Sequence, residues 1–476
     1  MQFTTLYFAI FFVLVLTGAW LTRRWPLVRK LVLLIASAYF YSAIHWQLTL
    51  ILLGSAAVFW GCGEGIARSS GTARKVWLTA GVIANLGLLG LFKYYNFFAG
   101  SLDDFAALFG LSAHLPVIEL LAPVGMSFYV FQGLSYLFDL ARGKGVRAGL
   151  LDFTLYQLLF VQLLAGPICR PHELLPQITA PAPPGPPELT RAATLILSGL
   201  FKKVVLAHYI DQHLVTGVFA APENYAAPAL WVGLLGYTFL IYWDFSGYTD
   251  LARGLGLLLG FNLPENFDHP YIATDISDFW RRWHMTLSFW LRDYLFLPLA
   301  NRWSGGLRKF LSLRYAALLG SQLAVLTTFI LCGLWHGAAW TFVLWGAYHG
   351  VLLFVHHGLR GIKRKWRGGW AGRAGTFVLV MFGWLLFNSP NVKASAVYLV
   401  RLFDFTMPGM GFTALALVFI AVGLVLQVFG LHVRRWYIVT SERMPLAARP
   451  LWWLATGLVI LALKPSGIAP YIYFGF

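Results

Sequence analysis

The residue of this 476-residue chain best placed to do chemistry is a histidine set in apolar sequence. His336 lies at the centre of Leu331-Cys-Gly-Leu-Trp-His-Gly-Ala-Ala-Trp340, with one apolar run entering from Tyr315 and another, Thr341 to Val355, leaving. The pattern predicts a titratable side chain at bilayer depth between two helices. Ionisable groups there are costly, face the protein interior or a cavity, and mark functional paths. A neutral imidazole with an unperturbed pKa near 6.5 can take a hydroxyl proton as general base at physiological pH. The plain alternative is a buried histidine satisfied by a backbone carbonyl. Gly333, Gly337, Ala338 and Ala339 weigh against it, because they leave the helix thin and breakable, and non-helical backbone at that depth survives only inside protein or beside a water-filled cavity.

A second histidine, His284, falls in Asn262 to Arg308, where charges and aromatics interleave and no segment is apolar for long enough to span. Asp275 or Ser277 can cap a helix there, and Phe279, Trp283, Trp290 and Tyr294, at spacings of four and seven, predict one aromatic stripe. Asp278 and Arg282 form an i,i+4 pair on the same helix. The expectation is an amphipathic helix along the cytoplasmic membrane surface that presents His284 near its apolar face, or simply anchors the chain. Asp244 and Asp250 sit amid aromatics and glycines in the apolar run Leu230 to Leu259, which therefore does not face lipid on all sides. Other chemistries find no support. Neither a G-x-S-x-G elbow nor a phosphate-binding P-loop occurs, and Gly254, Gly256 and Gly260 are mis-spaced for a dinucleotide loop. Cys62, Cys169 and Cys332 suggest no disulfide framework or zinc site. His356 and His357 are adjacent and point to different helix faces, so no metal site is expected.

These residues need a membrane scaffold, and composition supplies one. Hydrophobic residues make up 59% and charged residues 12%, the balance of a polytopic membrane protein. The net charge of +17 comes from short Lys and Arg clusters between apolar runs, as the positive-inside rule places them, and does not indicate nucleic acid. Met1 to Trp20 reads as a retained first span, followed by a cytoplasmic basic loop with Arg23, Arg24, Arg29 and Lys30. Runs at 31–44, 46–61, 76–92 and 116–140 continue the alternation. Parity requires the 150–178 region, with its Gly166-Pro167, to dip in and return as a re-entrant element before the proline-rich loop Pro181 to Pro187. After the helices around His336 come the most basic loop, Arg360 to Arg373, and spans near 376–387, 414–429 and 451–463. The expected fold is an all-α polytopic membrane protein: one domain over 1–476, roughly ten to twelve crossings of about 20 residues each, both termini extracytoplasmic, and 262–308 as a cytoplasmic insert.

Asp278-Phe-Trp-Arg-Arg-Trp-His284-Met-Thr-Leu-Ser288, Arg292-Asp293-Tyr294 and Trp335-His336-Gly337 resemble the signature of the membrane-bound O-acyltransferase family. The resemblance covers nearly the whole chain. Phe92-Lys-Tyr-Tyr-Asn-Phe97, Pro123-Val-Gly-Met-Ser-Phe128, Gly199-Leu-Phe-Lys-Lys203, Asp244-Phe-Ser-Gly-Tyr248 and Pro264-Glu-Asn266 are similar to its bacterial branch that includes the alginate O-acetylation membrane subunit. Ser288-Phe-Trp290 is closer to the teichoic acid D-alanyl transferase version. The resemblance implies helices around a central tunnel in the bacterial inner membrane. An acyl thioester, acetyl-CoA, would enter from the cytoplasm, and no bound cofactor is implied. His336 would be the catalytic histidine. His284 would sit at the cytoplasmic mouth, positioning the donor or donating a hydrogen bond to the developing oxyanion, with Trp335, Trp283, Arg281, Arg282, Asp244 and Ser288 along the tunnel or donor site.

The chain's end, Tyr471-Ile-Tyr473-Phe-Gly-Phe476, resembles a short aromatic motif of extracytoplasmic acyl-transfer systems. The resemblance implies that Tyr473 carries the acyl group before a periplasmic SGNH-type acetyltransferase or esterase-like partner takes it, within a polysaccharide biosynthesis complex. An interfacial aromatic anchor is the alternative for Tyr473. Alternatives for the chain are a D-alanyl transferase, a peptidoglycan O-acetylation subunit, or a non-enzymatic transporter or export channel.

Overall fold

The computed structural model describes residues 3–465 apart from 44, 112–114, 120–122, 181–184, 186–187, 361–368, 407 and 413. Tyr473 with the aromatic motif 466–476, most of the proline-rich loop 181–187 and most of the basic loop 360–373 lie outside the described residues. Among those described there is no strand, only an isolated bridge between Tyr225 and Met410. The all-α expectation holds. Among the described residues, seven helices are long and apolar enough to cross a membrane, and Leu6–Leu21 and Arg449–Ala462 are shorter apolar helices.

Two compact units can be distinguished. The first comprises 1–192 and 252–264. It contains α1 (Leu6–Leu21), α2 (Pro26–Ser42), α3 (Trp46–Arg68), α4 (Gly71–Ala107), α5 (Met126–Ala141), α6 (Leu150–Leu158), α7 (Phe160–Leu163) and α8 (Pro171–Thr179). The region expected to be re-entrant is broken into α6, α7 and α8, which are largely buried. Broken backbone needs partners, and side chains supply them. Ser37 Oγ accepts from Phe160 N (3.2 Å), the Tyr156 hydroxyl donates to the Cys169 carbonyl (2.8 Å), and Gln162 Nε2 donates to the Tyr156 carbonyl (2.7 Å). Phe160 closes a ring cluster with Phe8, Phe11, Phe12 and Phe40. One expectation is corrected here: Arg29 and Lys30 are not loop residues. Pro26 at the first helical position starts α2 before them. The Arg29 guanidinium is buried and donates to the Leu259 carbonyl at 2.6 Å.

The second unit comprises 193–251 and 265–476. It takes most of α9 (Leu189–Ala220) and α10 (Ala227–Leu258), then α11 (Ile276–Arg282), α12 (Met285–Leu291), α13 (Leu297–Leu307), α14 (Leu313–His336), α15 (Trp340–Arg360), α16 (Gly369–Asn388), α17 (Val392–Leu402), α18 (Ala414–Arg443) and α19 (Arg449–Ala462). Wide π-helical turns over 201–207 let adjacent lysines of α9 both reach α10. Lys203 pairs with Asp244 in the interior, and Lys202 pairs with Asp250 at 2.7 Å, where Ser198 also donates. Asp244 and Asp250 thus do not face lipid, as intramembrane charges demand. The helical hairpin of α14 and α15 is joined by backbone contact: a Cβ on Gly333 would overlap the Phe342 carbonyl, and one on Gly346 the Phe329 carbonyl.

Candidate active site

The aromatic stripe expected over 279–294 does not exist as one helix face. Asp275 caps α11, its Oδ1 accepting from Asp278 N at 2.8 Å, and Arg282 pairs with Asp278 at 3.1 Å as its spacing requires. The helix then stops. Trp283 is extended and His284 takes φ 42°, ψ 53°, a left-handed conformation uncommon outside glycine, although histidine enters it more readily than most side chains. Phe279, Trp280, Trp283 and Trp290 are buried, so the aromatic side chains of this segment pack inside the protein.

The break is held by Asn266, 18 residues upstream. Its carbonyl accepts from Met285 N (2.9 Å), and its Oδ1 accepts from Thr286 N (3.2 Å), Thr286 Oγ1 (2.9 Å) and His284 Nδ1 (3.0 Å). Because a backbone N–H can only donate, the atom facing Thr286 is the amide oxygen, and the histidine nitrogen beside it must carry a proton. His284 is fully buried, and burial pushes its pKa down from 6.5 to about 3. It is therefore a neutral ring protonated at Nδ1, with Nε2 an acceptor. Of the two roles expected for His284, donation to an oxyanion needs an Nε2 proton that burial opposes. Positioning, or acceptance of a proton, fits the tautomer. The shift also sets a sign: the stability associated with the neutral ring is complete above about pH 6.5 and is lost as pH falls toward 3.

Trp335 links the two histidines. Its ring centroid lies 6.4 Å from His284 and 4.9 Å from His336. His336, 5% exposed, ends α14, and the chain is extended at Gly337 before α15 begins at Trp340. This is the break that Gly337, Ala338 and Ala339 predict. Trp345 and Phe387 meet the His336 ring edge to face, both at 5.1 Å, and Phe245 meets His284 at 4.7 Å. The result is two buried imidazoles in an aromatic surround. A water-poor setting of this kind strengthens the electrostatic interactions within it and suppresses hydrolysis of a reactive acyl group.

The remaining residues singled out in the sequence take other positions. Trp283 packs on Phe267 at 5.1 Å and Trp384 at 4.7 Å, forming one wall. Ser288 Oγ donates to the Trp283 carbonyl at 3.1 Å, which closes the turn. Arg282 also reaches Asp268 at 3.1 Å, while Arg281 is largely exposed beside Asp278. Asp244 is engaged by Lys203. Asn266 was missed as a site residue. Its signal was the motif Pro264-Glu-Asn266, since spacing alone cannot join it to His284.

If His284 acts by position, backbone strain and ring chemistry are separable. His284→Gly should melt above His284→Ala by the equivalent of about 1 kcal/mol, because glycine accepts the left-handed conformation freely. Both should lose about 10²-fold in turnover, the order expected from displacing a reacting group. Wild-type rates in the glycine variant would reduce His284 to a turn residue.

The model of the membrane-bound O-acyltransferase family matches residues 126–397, which include both histidines. Among curated proteins, the probable alginate O-acetylase AlgI of Azotobacter vinelandii is 36% identical over 387 residues, covering 79% of this chain and 73% of that protein. The probable alginate O-acetylase AlgI of Pseudomonas putida is 34% identical over 382 residues, 79% of this chain and 75% of that one. The peptidoglycan O-acetyltransferase of Helicobacter pylori is 32% identical over 404 residues, 78% and 73% respectively. With two buried histidines bridged by a tryptophan inside the matched segment, and relatives of this similarity over most of both lengths, the chain belongs to the membrane-bound O-acyltransferase family and is an acyltransferase.

Proposed function

We propose that this acyltransferase moves an acetyl group from acetyl-CoA on the cytoplasmic side of the bacterial inner membrane, for O-acetylation of an exopolysaccharide such as alginate. The observation that carries the reading is the His284, Trp335, His336 arrangement, in a chain whose similar proteins bear the names alginate O-acetylase and peptidoglycan O-acetyltransferase. In this reading His336 takes the proton from an acceptor hydroxyl, the oxygen attacks the thioester carbonyl, and the C–S bond breaks as His336 returns the proton to the leaving thiolate. His284, held by Asn266, positions the donor. The first acceptor is the Tyr473 hydroxyl. A phenol ester is a better donor than a serine ester, so onward transfer to a periplasmic SGNH-type partner runs downhill.

The test uses inside-out membrane vesicles given acetyl-CoA labelled in the acetyl group. The wild-type chain should gain an alkali-labile label that Tyr473→Phe does not gain, and cells with that variant should make unacetylated polymer. Full polymer acetylation by Tyr473→Phe would leave the tyrosine as an anchor, and absence of label transfer from acetyl-CoA by the wild type would overturn the donor. Which polymer carries the ester, exopolysaccharide or peptidoglycan, decides the acceptor.

A further inference from the structure

One fully buried histidine has no part in the chemistry above. His349 on α15 is 0% exposed, and neither Nδ1 nor Nε2 has a hydrogen-bond partner among the described residues. Its ring is boxed by Trp280 (5.1 Å), Trp345 (5.0 Å) and Tyr348 (5.3 Å), with Trp384 at 6.4 Å. The indole N–H groups of Trp280 and Trp345 likewise meet no acceptor among the described residues. Gly383 on α16 makes room for the imidazole: a Cβ there would lie 2.5 Å from His349 Nε2.

A purely structural role accounts poorly for this set. Phenylalanine would fill an aromatic box without desolvating two polar atoms, and an unsatisfied buried polar group costs its full desolvation penalty. Ordered water or a bound molecule would satisfy them. The set offers two indole donors plus one imidazole donor and one imidazole acceptor. Such a set complements a neutral chain richer in carbonyl oxygens than in N–H groups. Trp345 touches both His349 (5.0 Å) and His336 (5.1 Å), so a group held at His349 lies one indole away from the proposed base.

We infer that His349, with the N–H groups of Trp280 and Trp345, contacts the amide-bearing arm of the acyl thioester and sets its approach to His336. The inference rests on the thioester reading proposed above.

Equilibrium binding of acetyl-CoA to the purified full-length chain, together with thermal melting, tests it. The wild type should bind. His349→Phe should weaken binding about ten-fold or more while melting at or above the wild-type temperature, because both bare polar atoms are gone. His349→Gln, which keeps a donor and an acceptor, should stay within a few-fold. Turnover should show a raised KM for acetyl-CoA and a smaller change in kcat. Wild-type affinity in His349→Phe would overturn the inference and leave buried water as the partner of the ring. Should His349→Phe fail to fold, Trp345→Phe removes a single N–H, and unchanged affinity there overturns the inference equally. Failure of the wild type to bind acetyl-CoA would refute the donor reading itself, and that result is read before any variant is made.

Discussion

His336→Ala should reduce acyl transfer to background while the protein still inserts and accumulates normally. General base catalysis by a positioned imidazole is worth about 10²–10⁴ in rate, and the rings packed directly on His336 are two indoles and a phenyl with no basic nitrogen. Truncation also leaves a void beside Trp335, Trp345 and Phe387, whose rings all lie within 5.1 Å of the imidazole. His336→Gln guards against a trivial loss, since it keeps side-chain volume and hydrogen-bonding capacity but has no titratable nitrogen. Both variants should be inactive in labelled acetyl transfer, with the glutamine variant melting near wild type. Wild-type transfer by either one would remove His336 from the chemistry.

The second large effect is on stability. Lys203→Met should strip Asp244 of its buried partner and cost about 3–5 kcal/mol, the range for breaking an interior ion pair by removing one side. The expected signs are a steep fall in yield and melting temperature. The double variant Lys203→Met with Asp244→Leu should recover most of the loss, because a pair replaced by apolar groups leaves no bare charge. Lys202→Met should cost less, since Lys202 and Asp250 are more exposed than the Lys203–Asp244 pair. A double variant that folds but no longer transfers acetyl would keep Asp244 in the substrate path, whereas a fully active one would make it structural. Equal losses in the single and double variants would refute the coupling.

Legibility in the sequence followed the range of the forces involved. The helix break after His336 was readable because its cause, Gly337-Ala-Ala, is local. The Asp275 cap and the Asp278–Arg282 pair were readable for the same reason. The turn at His284 was not. Aromatic spacing from Phe279 to Tyr294 favours a continuous helix, and the winning contacts come from Asn266 across a long separation in sequence. Burial of Phe279, Trp280, Trp283 and Trp290 escaped the reading likewise, because the charges interleaved with them mark a surface, and Arg281 and Arg292 do stay exposed while the rings turn inward. Arg29 was read by its charge as a loop residue, although a backbone carbonyl at Leu259 receives it in the interior.

The contact between α14 and α15 at Gly333 and Gly346 leaves no side-chain volume to trade at the crossing. Spacing there is fixed by main chain, so the His336 corner and the Trp345 face keep one separation whatever substitutions accumulate around them. Divergence in acyl group or acceptor is then confined to the facing surface, where Trp384 and Phe387 of α16 meet Trp345 at 6.1 and 5.3 Å. An engineer seeking a bulkier acyl substrate has the side chains of α16 to vary and a hairpin that will not widen.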